Sequence, residues 1–185
     1  DVGRPKALSA REAVQRLDPQ LSTEAMVARL TADNALELCG DHDLVLDCTD
    51  NFASRDALNT ACLRQRKTLV SGAAQMLDGT VTTFAAFRGG RNPCYRCLYP
   101  AALGPALTPS CSEIGVAGPV LAVVGGIQAM EVIKEIIGCG DTLSGRILIY
   151  DGLGGTVNEI ALERRPDCPA CTQASASAQP PVTGG

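Results

Sequence analysis

Two Cys-x-x-Cys pairs constrain the fold of this 185-residue chain more than any other feature of its sequence. Cys94 and Cys97 form one pair, and Cys168 and Cys171 form the other. Each spacing lets two thiolates from one tight turn face the same metal ion, and four thiolates complete the tetrahedral shell that structural zinc prefers. Because 70 residues separate the pairs, a shared ion would hold a mid-chain loop against the C-terminal region. The sequence therefore predicts a four-cysteine zinc staple.

A redox motif of the thioredoxin type is the alternative interpretation of each pair. Such a motif usually stands alone near the start of a β-α-β unit, whereas this chain contains two, which favours structural zinc. The other five cysteines show no regular pairing, and an odd total of nine favours a reducing compartment over a disulfide framework. The polar segment Asp1 to Lys6 has no apolar segment behind it, so no signal peptide is expected. We therefore expect a cytoplasmic protein.

Charge and hydropathy argue against two classes of partner. The formal net charge is −4 and no basic cluster occurs, so a nucleic-acid polymer is not expected to bind. The uncharged run over residues 114–130 contains Pro119 and four glycines, and it leads directly into Glu131. A membrane-spanning helix needs about 20 apolar residues with polar flanks. A buried helix in a globular domain is the better interpretation of this run, and no membrane is expected as a partner.

Helical and strand patterns alternate along the chain, which predicts an α/β fold with crossover connections. Helical spacing of apolar residues occurs at residues 9–18, 31–40, 54–65 and 119–137. Strand patterns occur at residues 43–47, 68–71, 80–87, 146–151 and 156–162. The first strand is predicted to be parallel and buried because it is a short apolar run. We expect one domain over residues 1–171 and a flexible tail over residues 172–185.

The segment Asp47-Cys-Thr-Asp-Asn51 directly follows the carboxyl end of the first predicted strand. In open α/β sheets, ligands bind in the crevice beyond these strand ends. Asp50 offers a hard oxygen ligand of the kind that Mg²⁺ accepts beside nucleotide phosphates, and Asn51 and Arg55 could hydrogen-bond a nucleotide. The alternative is that Asp50 or Asn51 only caps the helix that follows.

Cys111 and His42 are the other candidates for reactive residues. Cys111 lies shortly before the predicted helix 119–137, and a helix N-terminus lowers a thiol pKa. That environment suits a nucleophile or a persulfide carrier, whereas the alternative is a packed free cysteine. His42, the single histidine, lies in a polar turn and is expected at the surface rather than in a catalytic role.

Five motifs occur in one order along the chain: Asp47-Cys-Thr-Asp-Asn-Phe, Pro-Cys-Tyr-Arg-Cys-Leu-Tyr-Pro, Cys111-Ser-Glu-Ile-Gly-Val, Gly126-Ile-Gln-Ala-Met-Glu-Val-Ile-Lys134 and Asp167-Cys-Pro-Ala-Cys. In these motifs the chain resembles the ThiF/MoeB/HesA family, relatives of the ubiquitin-activating enzymes, and within it most closely the molybdopterin-synthase adenylyltransferases. The resemblance implies a Rossmann-like mixed sheet of the ubiquitin-activating-enzyme type, of which this chain would be the C-terminal portion. Family members are commonly homodimers, so a homodimer is expected.

The resemblance also implies a chemistry. Members use ATP and Mg²⁺ to adenylate the C-terminal glycine of a ubiquitin-like sulfur-carrier protein that ends in Gly-Gly, in molybdopterin or thiamine sulfur transfer. By this match Asp50 would hold Mg²⁺ and Lys6 would contact the ATP phosphates, while Asn51 and Arg55 would lie near the nucleotide. The four paired cysteines would hold zinc. Cys111 matches a crossover-loop cysteine that some members use covalently.

The sequence departs from the family pattern in one respect. In the family, the segment that matches Asp1-Val-Gly-Arg-Pro-Lys6 follows an N-terminal ATP-binding half, whose Gly-rich turn receives phosphates on backbone N–H groups. No G-x-G-x-x-G occurs in these 185 residues. Phosphoryl chemistry depends on positioning and charge neutralisation, so we expect the chain by itself to adenylate poorly or not at all. The alternative function is a non-catalytic, zinc-stapled module that binds a ubiquitin-like partner or a full-length relative.

Overall fold

A computed structural model of the protein describes residues 1–100 and 115–176. The described chain divides into two compact units, Asp1–Leu30 and a second unit that begins at Thr31. The first unit contains α1 (Lys6–Leu17), which starts three residues before the helix predicted at residues 9–18. Arg4 Nη2 donates to Glu12 Oε1 at 2.6 Å and holds the segment before α1 against the helix.

The second unit contains the other helices and all the strands of the described chain. Its helices are α2 (Ala35–Gly40), α3 (Phe52–Gln65), α4 (Tyr95–Leu98), α5 (Gly118–Ile137) and α6 (Pro169–Ala176), with a 3-10 turn at Ala86–Arg88. Its strands are β1 (Leu44–Asp47), β2 (Thr68–Gln75), β3 (Asp78–Phe84), β4 (Arg146–Asp151) and β5 (Thr156–Ala161). Each helix and strand that the sequence predicts is present. The helix α6 continues into the stretch predicted as a flexible tail, and residues 177–185 lie outside the described residues.

The five strands form one mixed sheet in the order β1-β2-β3-β4-β5. β1 and β2 are parallel, with Asp47 beside Ser71, and α3 is the crossover that connects them. The other three neighbouring pairs, β2-β3, β3-β4 and β4-β5, are antiparallel. This arrangement confirms the predicted mixed α/β fold.

The strand predicted at residues 43–47 is present, but the prediction that it is buried is wrong. In the described chain β1 lies at the edge of the sheet, with β2 as its neighbour. Leu46 is 44% exposed, and Leu44 and Val45 are only partly buried. A short apolar run does not reveal how many strands or helices cover it, so the pattern over-predicted the burial of β1.

The helix α5 packs on β2 and β3 with one face. Its buried residues recur every three or four positions, at Val120, Val124, Gln128 and Glu131. A Cβ added at Gly79 of β3 would lie only 2.4 Å from Val124 Cγ2, so this glycine allows the helix to approach the sheet closely.

The opposite face of α5 is apolar and exposed, which corrects the prediction of a buried helix. The exposed large apolar residues on this helix are Leu121, Met130, Ile133, Ile136 and Ile137. The apolar run indicated burial all round, but the described chain covers only the side toward the sheet. The helix ends at Gly138, in a left-handed conformation with φ of 72°, as the sequence predicts. In the described ranges, no helix has both the length and the apolar character needed to cross a membrane.

Candidate functional site

The candidate site lies where β1 ends and residues 48–51 lead into α3. Asp47, the last residue of β1, is 1% exposed. Its Oδ1 accepts hydrogen bonds from the Thr49 backbone N–H at 2.9 Å and from Thr49 Oγ1 at 2.7 Å. Its Oδ2 accepts a hydrogen bond from Ser71 Oγ at 2.8 Å, and Ser71 is the neighbouring residue on β2. Asp47 therefore fixes the loop that follows it and joins this loop to both parallel strands.

Arg55, in the first turn of α3, neutralises the buried carboxylate of Asp47. Its Nη1 lies 3.6 Å from Asp47 Oδ2. Its Nη2 donates to the carbonyl oxygen of Thr49 and, at 3.1 Å, to that of Gly72. These contacts show that Arg55 positions the loop over residues 48–51, while its predicted contact with a nucleotide stays a prediction.

Asn51 is the N-cap of α3, as the alternative interpretation of this residue expected. Its Oδ1 accepts a hydrogen bond from the Ser54 backbone N–H at 2.9 Å. Its Nδ2 donates to Asp50 Oδ1 at 3.3 Å. Asp50 itself is exposed. The capping residue thus orients the neighbouring carboxylate, which the sequence proposes as the Mg²⁺ ligand.

One pocket of about 310 Å³ contains all three of the residues predicted around the loop after β1. Asp50, Asn51 and Arg55 line it together with residues of β2, β3 and α4. A second exposed carboxylate lines this pocket, that of Asp78, which is the first residue of β3. The other lining residues are Phe52, Ala73, Ala74, Gln75, Gly79, Thr80, Tyr95 and Tyr99.

Aromatic side chains form one wall of this pocket, which the sequence did not predict. The ring centroids of Tyr95 and Tyr99 are 4.9 Å apart, and Phe52 packs edge-on against Tyr99 at 5.9 Å. Phe84 lies behind Tyr95 at 6.0 Å. Burial raises the pKa of Tyr95 above its usual range, so its hydroxyl stays protonated at neutral pH. The position of Tyr95 inside a Cys-x-x-Cys pair was the signal that could have placed it near a site.

The hydroxyl of Tyr95 is buried and has no hydrogen-bond partner among residues 1–100 and 115–176. The residue as a whole is 3% exposed. A buried hydroxyl without a partner costs about 1–3 kcal/mol, so such groups are uncommon in folded proteins.

Gln128 supports the end of β1 from the side of α5. Its Nε2 donates to the carbonyl oxygen of Asp47 at 3.0 Å and to that of Val70 at 3.3 Å. Its Oε1 accepts a hydrogen bond from Cys48 Sγ at 3.7 Å. A Cβ added at Gly72 would lie 2.4 Å from Gln128 Cδ, so the glycine makes room for this amide. The sequence did not identify Gln128, although one amide in an uncharged helical run was an available signal.

The four cysteines of the two pairs converge on a second site, which packs against Leu63 of α3. The Sγ–Sγ distances are 3.9 Å for Cys94–Cys97, 3.7 Å for Cys94–Cys168 and 3.6 Å for Cys97–Cys171. All four sulfurs lie within 4.8 Å of one another, and all four residues are buried. A tetrahedral ion with bonds of about 2.3 Å would place its sulfurs about 3.8 Å apart. The cluster therefore fits a metal ion held by four thiolates.

The close approach of the four thiols couples their ionisation. Hydrogen bonds from Cys171 and Cys94 lower the pKa of the Cys97 thiol, and hydrogen bonds with Cys171 and Cys97 raise the pKa of Cys94. Without a cation, the four groups cannot all ionise at such short distances. The backbone N–H of Arg165 donates to Cys97 Sγ at 3.5 Å, which is the kind of outer contact that orients a thiolate ligand.

The other residues named from the sequence are Lys6, Cys111 and His42. Lys6 is the exposed first residue of α1, in the Asp1–Leu30 unit, and its contact with ATP stays a prediction. Cys111 lies outside the described residues, so its role also stays a prediction. His42 is exposed, as predicted.

The fold and the site define an α/β protein with a binding pocket at the carboxyl end of a parallel strand and a separate four-cysteine cluster. A sequence model of the ThiF family matches residues 1–170. The chain therefore belongs to the ThiF family.

Named relatives are adenylyltransferases. The chain is 43% identical over 173 residues to the sulfur carrier protein adenylyltransferase of Thermus thermophilus, covering 92% of this chain and 64% of that protein. It is 43% identical over 172 residues to the molybdopterin-synthase adenylyltransferase of Escherichia coli, covering 93% of this chain and 68% of that protein. It is 43% identical over 183 residues to the adenylyltransferase and sulfurtransferase MOCS3 of Drosophila virilis, covering 98% of this chain and 39% of that protein. The chain thus spans only part of the length of these relatives.

Solved structures share the fold. A crystal structure of E. coli MccB with ATP superposes with a TM-score of 0.75 at 16% identity, covering 92% of this chain and 51% of that one. A crystal structure of PaaA superposes with a TM-score of 0.67 at 15% identity, covering 88% of this chain and 56% of that one. At these identities the likeness concerns the fold alone.

Proposed function

We propose that this chain forms part of an enzyme that uses ATP to adenylate the C-terminal glycine of a ubiquitin-like sulfur-carrier protein. Membership of the ThiF family and the adenylyltransferase activity for which the relatives are named support this proposal. The observation that carries it is the pocket at the end of β1, which brings Asp50, Asn51 and Arg55 together in a chain of this family.

In the proposed reaction, a carboxylate oxygen of the carrier's C-terminal glycine forms a bond to the α-phosphorus of ATP. The bond from this phosphorus to the oxygen bridging the β-phosphate breaks, and pyrophosphate leaves. Positioning and charge neutralisation provide most of the catalysis in such transfers. This chain contributes a fixed loop, because Asp47 and Arg55 hold residues 48–51 in place.

Asp50 would hold Mg²⁺ in this enzyme. It is an exposed carboxylate that lines the pocket, and Mg²⁺ commonly uses one or two carboxylates together with substrate phosphates. When bound, the ion would neutralise phosphate charge. Lys6 would contact the same phosphates, and Asn51 and Arg55 would hold the loop that faces the nucleotide.

The cysteine cluster would hold a structural zinc ion. Four thiolates leave no open position for water or substrate, so the ion would stabilise the fold rather than take part in the reaction. The convergence of both pairs on one centre supports this role over two independent redox motifs. Cys111 would not be needed for adenylation and would serve a later sulfur-transfer step. The homodimer, the carrier's Gly-Gly end and the cytoplasmic location stay predictions.

A pyrophosphate-exchange assay tests the proposal. The complete gene product that contains these residues is expected to exchange labelled pyrophosphate into ATP, in the presence of Mg²⁺ and a sulfur-carrier protein. The 185-residue chain alone is expected to exchange weakly, because it contains no Gly-rich phosphate loop. Absence of exchange by the complete protein, with carrier binding retained, would instead support a non-catalytic module that binds a ubiquitin-like partner.

A further inference from the structure

The helix α3 connects the loop after β1 with the cysteine cluster. Arg55, Asn59 and Leu63 recur every four residues and so lie on one side of this helix. Arg55 Nη1 lies 3.6 Å from Asp47 Oδ2 at the end of β1. Asn59 Oδ1 accepts a hydrogen bond from the Tyr95 backbone N–H at 3.0 Å, and Leu63 packs against the four cysteines. One side of α3 therefore contacts the candidate site and, about 12 Å further along the helix axis, the cysteine cluster.

The turn that separates the cysteines of the first pair is held to α3 by two side chains. Arg96 Nε and Nη2 donate to the two carboxylate oxygens of Asp56, and a bidentate pair of this kind fixes orientation as well as distance. Asn59, which is 1% exposed, holds the neighbouring residue through the Tyr95 N–H. Both residues of the turn are therefore attached to one stretch of α3.

Both elements that carry the cysteines pack against α3. The helix α4 contains Cys97 and has Cys94 as its N-cap, while α6 contains Cys171 and begins directly after Cys168. The structure shows contacts of α3 with α4 and with α6. An ion shared by the four thiolates would therefore fix two neighbours of α3 relative to each other.

The position of α3 in turn determines the position of the loop over residues 48–51, because Arg55 joins the two. Arg55 Nη2 donates to the carbonyl oxygen of Thr49 in the loop and, at 3.1 Å, to that of Gly72 on β2. A displacement of α3 would take these contacts out of the range of about 2.7–3.2 Å that N–H···O hydrogen bonds occupy. The order of the loop therefore depends on how firmly α3 is held.

We propose that Asp56 is a positioning residue: together with Asn59 it holds the cysteine turn to α3, and it makes the order of the loop over residues 48–51 depend on a metal ion in the cysteine cluster. Asp56 does not line the pocket, so it acts on the loop through the adjacent Arg55. Such a dependence is reciprocal, because a metal that strengthens nucleotide binding by some factor is itself bound more tightly by that factor when the nucleotide is present. The effect on nucleotide affinity rests on the proposed function, whereas the effect on the loop does not.

Asp56→Ala tests the proposal in the complete gene product, because it releases Arg96 and leaves all four cysteines in place. In excess zinc, the variant should retain about one zinc ion per chain. We expect hydrogen exchange in the peptide over residues 48–55, measured by mass spectrometry with zinc bound, to be about threefold faster or more than in the unsubstituted protein. Peptides from β3 and β4 should exchange at unchanged rates.

Gln65→Ala is the matched control on the same helix. It removes the hydrogen bond of 2.6 Å from Gln65 Nε2 to the Leu36 carbonyl of α2, a contact of α3 that does not involve the cysteine turn. Exchange in the peptide over residues 48–55 should match that of the unsubstituted protein.

A second measurement uses the reciprocity of the two sites. The Kd for zinc is determined by chelator competition with and without saturating Mg²⁺-ATP. In the unsubstituted protein and in Gln65→Ala, we expect the nucleotide to lower this Kd about fivefold or more, and in Asp56→Ala less than about twofold. A purely structural role of Asp56 would lower stability without changing this ratio.

Three results would overturn the role of Asp56. The first is loop exchange in Asp56→Ala as slow as in the unsubstituted protein. The second is an equal rise in the peptides of β3 and β4, which would show that the pair stabilises the whole domain. The third is loss of zinc from Asp56→Ala in excess zinc, which would show that the pair builds the metal site itself.

The nucleotide measurement separates this inference from the proposed function. Absence of Mg²⁺-ATP binding by the unsubstituted protein would overturn the proposed function alone, because loop exchange would still support or refute the role of Asp56. Binding of Mg²⁺-ATP with the same effect on the zinc Kd in Asp56→Ala and in the unsubstituted protein would overturn this inference alone.

Discussion

Asp47→Ala is the substitution expected to destabilise the candidate site most. The Asp47 side chain is 1% exposed, accepts three hydrogen bonds and lies 3.6 Å from the Arg55 guanidinium. Its removal leaves Arg55, whose side chain is only 12% exposed, without its buried counter-charge. Breaking one side of a buried ion pair costs about 3–5 kcal/mol.

The expected loss can be measured by urea unfolding and by thermal melting. For a domain of this size each kcal/mol lowers the melting temperature by about 2–4 °C, so the loss of about 3–5 kcal/mol corresponds to about 6–20 °C. Ser71→Ala removes one of the three hydrogen bonds and should cost about 1 kcal/mol. Asp43→Ala, an exposed carboxylate just before the same strand, is the control and should change stability by less than about 0.5 kcal/mol. If Asp47→Ala were no more destabilising than Asp43→Ala, the argument that this carboxylate fixes the site would be refuted.

Four further substitutions, in two matched pairs, test the cysteine cluster and the packing of α5. Cys171→Ser should lower the bound metal from about one zinc ion per chain and destabilise the fold, as measured by metal analysis and melting, whereas exposed Cys139→Ser should change neither. Full metal content in Cys171→Ser would contradict the four-thiolate site. Gly79→Ala should cost about 1–3 kcal/mol of unfolding free energy because its Cβ would lie 2.4 Å from Val124 Cγ2. Gly125→Ala, in the same helix as Val124 but in open space, should stabilise by about 0.4–1 kcal/mol, and an equal effect of the two glycine substitutions would contradict the close helix-sheet approach.

Local patterns predicted the order of helices and strands because each pattern depends on neighbouring residues. The period-two alternation that begins at Thr80 and the glycine at position 138 are signals of this kind, and the structure has a strand and a helix end there. The cysteine cluster was also predictable, since Cys-x-x-Cys spacing places two thiolates on one turn regardless of the rest of the fold.

Burial and pocket walls were not predictable, because they depend on residues far apart in the chain. The apolar side chain of Leu46 is typical of a buried strand, but its exposure depends on which strands lie beside β1. Gln128 reaches Asp47 across 81 positions of sequence, and Tyr95 reaches the pocket only because α4 packs against α3. No local spacing encodes either contact. The capping role of Asn51 was predictable as an alternative, and the structure shows it.

The most direct test of the proposed function is pyrophosphate exchange by Asp50→Ala in the complete gene product, with saturating ATP, Mg²⁺ and a sulfur-carrier protein. Asp50 is exposed, so its removal should leave the melting temperature unchanged. We predict that the exchange rate falls by about 100-fold or more, because one preorganised charge-stabilising contact contributes this much to related transfers. Asp43→Ala should exchange at the unsubstituted rate. An Asp50→Ala protein that exchanges as fast as Asp43→Ala would contradict the assignment of this pocket as the nucleotide site.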